Sequence, residues 1–253
     1  MKRIKKILSF IISLVLVLAI ISIGAIILNN IKTVNLADDY TSIYEDSKYE
    51  KSVYVTGANY IKQDVSCGYA VIEMFAKWTK NNEITEKYLY DKYGKVVTST
   101  GKKFEEEMNK QFPDYKTTMY KYLKSSELID KVYNSLSNGI PVPFEWAAKY
   151  EGEWTLHYSL IVGMDIPNDK VIILNPYGYE EKISIKELLE RTTFDAYDNM
   201  PIFLRLGFAF GIFEKNTIYI VEKKWEEKNN SSVLTKHFVV VYLDYIKTPK
   251  KKY

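Results

Sequence analysis

Hydrophobic positions form three patterns along this chain, and the first is an unbroken apolar run. From Ile7 to Leu28, 22 consecutive positions carry no charge. At about 1.5 Å per residue, a helix of that length crosses a hydrocarbon core of about 30 Å, so the run predicts a transmembrane helix. A cleaved signal peptide is the alternative, because Ser22 and Gly24 resemble a small-residue cleavage site before Ala25. We favour the anchor, since signal-peptide apolar cores usually run about 7 to 15 residues.

The second pattern is helical and begins near Cys67. The apolar residues from Ala70 to Trp78 recur at alternating intervals of one and three positions, which is the spacing of one helix face. Ser66 is a suitable N-cap, so Cys67 is expected in the first turn of this helix. Further helices are predicted at 85–93, 102–111 and 126–137.

The third pattern is strand-like and dominates the second half of the chain. Runs rich in β-branched and aromatic residues, separated by turn sequences, predict strands. They lie at 140–148, 157–165, 170–178, 203–213, 217–222 and 237–246. The run at 203–213 is too short to cross a membrane and is interpreted as a core strand or hairpin. A capping-box sequence at Ser184 predicts a short helix through Glu190, and helices followed by strands predict an α+β fold.

Composition divides the chain into an anchor, a linker and one domain. Residues 1–31 hold a short cytoplasmic stub and the apolar run. Residues 32–53 are polar, contain several tyrosines and lack a clear period, which suits a linker. Residues 54–253 are enough for one domain with a proper core. Because four basic residues precede the apolar run and only Lys32 follows it closely, the positive-inside rule places the N-terminus in the cytoplasm and the domain outside.

The charge of the domain excludes some partners. The formal net charge is +3, but the 31 basic residues that follow the N-terminal stub nearly balance the 32 acidic residues. Nucleic-acid binding needs a clustered basic face, so no nucleic-acid partner is expected. The two histidines lack metal-ligand spacing and the chain has no glycine-rich phosphate loop, so we expect neither a metal nor a cofactor.

The single cysteine, Cys67, is the main candidate for chemistry. In an exported domain a lone thiol forms no internal disulfide, which leaves an intermolecular bridge, burial in the core, or reactivity. A helix N-terminus lowers the pKa of a thiol, and a neighbouring imidazolium lowers it further. His157, at the start of a predicted strand, is the candidate partner. His237 lacks a following Asn-Pro turn, and we assign it a structural role.

Asn175 lies on the predicted strand after His157, across a short turn. A hairpin centred on Ile166 sets 157 opposite 175, whereas one centred on Pro167 sets it opposite 177. A shift of two residues keeps a side chain on the same face, so Asn175 neighbours His157 directly or diagonally in both registers. A polar group there can orient the imidazole through its second nitrogen.

A glutamine shortly before "CGYA", then the distant "HYSLIVGMD" and finally "ILNPYG", in that order, resemble the papain-like C39 and C39-like cysteine peptidases. The resemblance covers about residues 55–195 and implies a papain-like fold, with N-terminal helices packed on an antiparallel sheet. It implies Cys67 as nucleophile, His157 as general base and acid, and Asn175 as the residue that orients the imidazole. It also implies Gln63 as a side-chain oxyanion donor beside the Cys67 N–H.

This chain departs from the family pattern at two of these residues. C39 peptidases usually carry aspartate where this chain has Asn175, although papain itself uses asparagine. Gln63 stands four residues before Cys67, closer than is usual in the family.

The implied activity is hydrolysis of peptide or amide bonds in a peptide or protein substrate, by a domain held outside the membrane. Leader-peptide processing is not expected, because leader peptidases work in the cytosol attached to a transporter. Two other functions stay open. The same residues could serve an acyltransferase or a cell-wall amidase, and an idle papain-like scaffold could act as an anchored binding domain. The oligomeric state is left open as well.

Overall fold

The structure is a computed structural model that describes residues 2–94 and 100–224. Its first element is a long helix, α1 (Lys2–Val34), which contains the apolar run. The segment Arg3–Val34 is long and apolar enough to cross a membrane, and its mean hydropathy reaches 3.2. The predicted strand at 237–246 and His237 lie outside the described residues.

Six more α-helices follow in the described part of the chain. They are α2 (Cys67–Trp78), α3 (Glu86–Tyr93), α4 (Gly101–Gln111), α5 (Ser125–Ser137), α6 (Ile185–Thr192) and α7 (Ile202–Ala209). Helices α2 to α6 confirm the helices predicted from periodicity and capping. At the start of α6, the Ser184 hydroxyl accepts the backbone N–H of Glu187 at 3.0 Å, as the capping box requires.

The strands of the described residues form one seven-stranded sheet. They are β1 (Val53–Tyr54), β2 (Tyr115–Tyr120), β3 (Val142–Tyr150), β4 (Glu153–Asp165), β5 (Lys170–Asn175), β6 (Tyr179–Ile183) and β7 (Ile218–Lys223). Their order is β2-β7-β3-β4-β5-β6, with β1 paired to β4. The ladders that join β3 to β4, β4 to β5 and β5 to β6 are antiparallel.

Helices cover both faces of the sheet, each over its own apolar core. Side chains of α2, α3 and α4 pack with Leu160 and Leu174 on one face. Side chains of α5 and α6 pack with Trp146 and Ile173 on the other. The predicted α+β class, with helices on an antiparallel sheet, is confirmed.

A β-bulge in β4 decides which side chains face each core. Near the hairpin turn Met164 pairs with Val171, but beyond the bulge Ile161 pairs with Ile173, so Val162 is the extra residue. Without the bulge, the turn-end register would place Asn175 on the face opposite to His157. The register beyond the bulge is the one centred on Pro167, which makes the two side chains diagonal neighbours.

The expected linker, 32–53, packs on the domain. Ile43 and Tyr49 are buried in the core on the α5 face. The Tyr49 hydroxyl donates to Asp130 at 2.6 Å, and the Leu36 carbonyl accepts a backbone N–H at the start of α5. The tyrosines explain why this segment packs on the domain although its sequence suits a linker. A tyrosine ring can be buried while its hydroxyl keeps a polar partner, so a tyrosine-rich segment looks more polar in sequence than it is in the fold.

The predicted strand or hairpin at 203–213 is wrong, since its first part belongs to helix α7. A Cβ atom on Gly207 would lie 2.5 Å from the Phe213 ring, so this glycine lets the chain fold back onto the helix. Apolar runs of this length do not distinguish helix from strand by periodicity. The deciding contacts are tertiary, because α7 packs against α1.

Candidate active site

Cys67 is the first residue of α2, as the sequence predicted. The loop that leads into it is held by Glu86, the first residue of α3. The Glu86 carboxylate accepts three consecutive backbone N–H groups, from Asp64 and Val65 at 2.8 Å and from Ser66 at 2.5 Å. A buried carboxylate with three such donors fixes the loop shape, and therefore the position at which α2 begins.

His157 and Asn175 make the direct contact that their positions predicted. His157 Nε2 lies 3.1 Å from Asn175 Oδ1, which also accepts the backbone N–H of Tyr177 at 3.0 Å. Asn175 is fully buried and His157 is 4% exposed. The Tyr177 ring stacks on the imidazole with centroids 4.2 Å apart, and the Tyr150 ring stacks on Tyr177 at 4.5 Å. The imidazole is therefore fixed by a hydrogen bond in the plane of its ring and by stacking on its face.

The fold brings Cys67 to this pair from the neighbouring helix. The thiol lies within hydrogen-bonding reach of the backbone N–H of Tyr158, the residue after His157. It also lies close enough to Tyr177 to raise the pKa of that phenol. The loop before the cysteine contacts the same turn, since the Gln63 N–H donates to the Pro176 carbonyl at 2.8 Å. Cys67 thus lies beside Tyr158, which follows His157 in the chain, and Tyr177, which stacks on the His157 ring.

Gln63 lies in the loop that leads to Cys67, and its side-chain oxygen is unpaired. Within the described residues, its Oε1 atom is buried without a hydrogen-bond partner. Most buried polar atoms in folded proteins are paired, so an unpaired amide oxygen four residues before the cysteine calls for an explanation.

Comparison with known proteins identifies the family of this chain. The profile of the Peptidase_C39 like family matches residues 32–201, which is more than half of the chain. The chain belongs to this family of C39-like peptidases.

One solved structure that matches this C39-like chain is the crystal structure of a double glycine motif protease from an AMS/PCAT transporter, in complex with the leader peptide. It is 14% identical, covers 69% of this chain and 99% of the other chain, and superposes with a TM-score of 0.41. No curated protein sequence matches the chain.

Burial controls the protonation of both titratable groups in this C39-like site. Although Cys67 as a residue is partly accessible, desolvation raises the pKa of its thiol to about 11, while N–H groups of Tyr158 and of the first helical turn act in the opposite direction. Desolvation also lowers the pKa of His157 to about 4, against the hydrogen bond from Asn175, which raises it. At pH 7 the resting site therefore holds a neutral thiol and a neutral imidazole. The sequence had predicted a lowered thiol pKa, because it revealed the helix start but not the desolvation.

Three further acidic residues around the site were not identified from the sequence. Glu145 lies behind the thiol, where burial raises its own pKa to about 7 and its charge raises the pKa of Cys67. Glu86 holds the loop before Cys67, and Glu181 accepts the Asn175 amide N–H at 2.8 Å. Glu86 follows the N-cap of a helix, where an acidic residue is ordinary. Glu145 and Glu181 sit in predicted strands and turns, where no local pattern marks them.

Proposed function

We propose that this protein is a membrane-anchored, extracytoplasmic cysteine peptidase that hydrolyses peptide or amide bonds with Cys67, His157 and Asn175. The observation that carries the proposal is the 3.1 Å contact between His157 and Asn175, beside a cysteine at the start of a helix. A nucleophile, a base and a group that orients the base are the three parts that acyl transfer through a thiol requires. The α1 helix supplies the anchor, with its basic N-terminal end in the cytoplasm.

The protonation of the site favours proton transfer in step with attack. His157 Nε2 is engaged by Asn175, which leaves Nδ1 as the nitrogen available to the thiol. As Cys67 Sγ attacks the substrate carbonyl carbon, its proton passes to Nδ1. The imidazolium then donates this proton to the amine nitrogen as the carbon–nitrogen bond breaks, leaving a thioester on Cys67.

Water completes the cycle through the same groups. His157 accepts a proton from water as its oxygen attacks the thioester carbonyl, and the acid product leaves as the proton returns to the sulfur. In both steps the negative charge that develops on the carbonyl oxygen needs donors. The backbone N–H of Cys67 at the helix start is one. The amide of Gln63, which is unpaired on its oxygen side in the resting site, is the second after a rotation that presents its NH₂ group.

Product analysis tests this function. We expect the full chain in detergent micelles to cleave members of a mixed peptide library, with each cut leaving a free carboxyl terminus detectable by mass spectrometry. Added hydroxylamine should trap part of the thioester as a hydroxamate. Products joined to an added amine, with no free carboxyl termini, would instead indicate an acyltransferase. Absence of cleavage and of hydroxamate, with a Cys67 that small alkylating reagents cannot reach, would leave only the anchored binding domain.

A further inference from the structure

Helix α7 and the turn after it expose large apolar side chains. Ile202 and Phe203 at its start are 62% and 67% exposed, and Phe210 and Ile212 beyond its end are 54% and 55% exposed. We name these four residues the α7 apolar face. Single exposed apolar residues are ordinary, but four within eleven positions mark an interaction surface.

The α7 apolar face adjoins the end of the membrane-spanning helix. A groove between the two elements is lined by Ala25, Leu28 and Lys32 of α1 and by Phe208 and Phe210 of the α7 segment. Leu28 is the last residue of the apolar run. Because a helix rises about 1.5 Å per residue, the stretch from Ala25 to Lys32 spans roughly 10 Å, from the hydrocarbon edge into the headgroup layer. Phe210 lies beside this stretch.

The polar residues around the groove suit the same depth. Lys32 lies 3.2 Å from the centroid of the Tyr122 ring. A second groove brings Arg205 and Tyr197 next to Asn29 of α1. Tyrosine, lysine and arginine concentrate at membrane interfaces, where their apolar parts meet acyl chains and their polar ends reach headgroups.

We infer that the α7 apolar face inserts into the interfacial layer of the membrane that α1 crosses, so that a lipid surface is the partner of this face. The inference rests on the proposed anchoring by α1. Continuity with the apolar surface of α1 is the reason to assign lipid rather than a second protein copy. With two points of attachment, the catalytic domain is held against the bilayer instead of swinging freely on one helix.

Site-directed labelling tests the lipid contact in the full chain. In a Cys67→Ala background, single cysteines replace Phe203 or Phe210, and each carries an environment-sensitive fluorophore in proteoliposomes. Cys67→Ala with Tyr60→Cys serves as the exposed control, and Cys67→Ala with Leu16→Cys reports the anchor itself. We expect the labels at 203 and 210 to be quenched by lipids with shallow nitroxides and protected several-fold from aqueous iodide relative to position 60.

Each other outcome has a distinct meaning. If iodide quenches the labels at 203 and 210 as readily as the label at 60, the inference is overturned. Quenching of the label at 16 by lipid nitroxides would in that case show that α1 still lies in the membrane. If the label at 16 is also water-accessible, the anchoring has failed. Labels at 203 and 210 shielded from both iodide and lipid nitroxides would show that protein covers this face, which also overturns the inference.

A separate observation concerns the side of Asn175 that faces away from His157. Its Nδ2 donates to Glu181 Oε2 at 2.8 Å, and Arg191 donates to Glu181 Oε1 at 2.7 Å. Arg191 also pairs with Glu187 at 2.7 Å. Glu181 and Arg191 are both largely buried, so this is a partly desolvated ion pair directly behind the site.

This pair, together with the Tyr177 N–H that donates to Oδ1, determines which way the Asn175 amide points. A carboxylate only accepts hydrogen bonds, so the NH₂ group must face Glu181 and the Oδ1 atom must face His157. An oxygen acceptor requires a hydrogen on His157 Nε2. Because a neutral imidazole carries only one N–H, Nδ1 is then left with its lone pair. An aspartate at 175 would instead place two carboxylates in contact, where both cannot ionise.

We propose Glu181 as a positioning residue that selects the catalytic tautomer of His157 through Asn175. This proposal rests on the proposed function for its role in catalysis, but the tautomer itself can be observed without activity.

Nitrogen-15 NMR of the imidazoles in the full chain tests the tautomer. The chain has two histidines, so His237→Gln leaves one. We expect the Nε2–H form in the parent and a mixture of tautomers in Glu181→Ala, with turnover about tenfold lower. An unchanged tautomer in Glu181→Ala overturns the proposal. The expected tautomer change in a chain that hydrolyses nothing would instead overturn only the proposed function.

A rescue experiment separates positioning from a general structural effect. Asn175→Asp should lose turnover, and adding Glu181→Gln should restore part of it, since glutamine can donate to the new carboxylate. Glu187→Gln is the matched control, because it weakens the same arginine pairing without contacting position 175, and it should give no rescue. A double variant with no more activity than Asn175→Asp alone would contradict the proposal.

Discussion

Replacing Cys67 by alanine is expected to lower peptide hydrolysis by about 1,000-fold or more, because loss of the nucleophile leaves only binding and oxyanion stabilisation. The measurement is the initial rate of cleavage of a peptide identified by product analysis, with the full chain in micelles. Cys67→Ser is the matched control for shape, since it keeps a side chain of similar size with a much less acidic group. A Cys67→Ala variant that retains more than about a tenth of the activity would exclude the proposed mechanism.

Alkylation of the same cysteine provides an independent check of the resting state. The chain has one thiol, so iodoacetamide can modify one residue only. Because burial raises the pKa of Cys67 to about 11, we expect slow labelling at pH 7 and a rate that rises through the alkaline range. A fast reaction at pH 6 to 7 would show a preformed thiolate–imidazolium pair in place of the neutral pair.

Replacing His157 by glutamine is expected to reduce hydrolysis by a similar factor, about 1,000-fold or more, since the thiol loses its proton acceptor and the leaving amine its proton donor. Because the His157 ring is uncharged in the resting state, the substitution removes no charge, and the variant should keep the fold. The measurement is again the cleavage rate, with the circular dichroism spectrum as the check on structure. An unchanged rate would assign the base to another residue.

The pH dependence of stability tests whether this ring is buried in its neutral form. Desolvation lowers the pKa of His157 from an ordinary 6.5 to about 4. As the pH falls below 6.5, His157 becomes protonated in the unfolded chain but stays neutral in the native protein. The stability that comes from keeping this ring neutral is therefore complete above pH 6.5 and lost by pH 4. The loss amounts to roughly 3 kcal/mol in the free energy of unfolding. His157→Gln should lack it, and an identical acid dependence in both proteins would contradict a neutral buried ring.

Local patterns were sufficient for the elements that carry the site. Side chains recurring along one helix face, with Ser66 before them, placed Cys67 at the start of α2. Two β-branched runs around a short turn placed His157 and Asn175 on neighbouring antiparallel strands. These features depend on residues close in sequence, where periodicity and capping act directly.

Other features depend on contacts between distant segments, and only the tertiary structure decided them. The bulge at Val162 restores the face that Asn175 shares with His157, and no turn sequence announces it. Helix α7 owes its form to packing against α1, because its apolar run is compatible with either helix or strand. The sequence of 32–53 suits a linker, yet the segment packs on the domain. Whether a tyrosine is buried depends on which polar partner the fold brings to its hydroxyl.

The sequence by itself determined the candidate residues for chemistry and the local elements that carry them. The tertiary structure decided their protonation and orientation. Desolvation of Cys67 and His157 comes from surrounding atoms far along the chain, and it reverses the direction expected for the thiol from its helix start alone. Likewise Glu181 orients Asn175 from another strand. The electrostatic environment of a group and the direction of its hydrogen bonds depend on many residues that are distant in sequence. Helix starts and strand pairs depend on a few residues that are close in sequence.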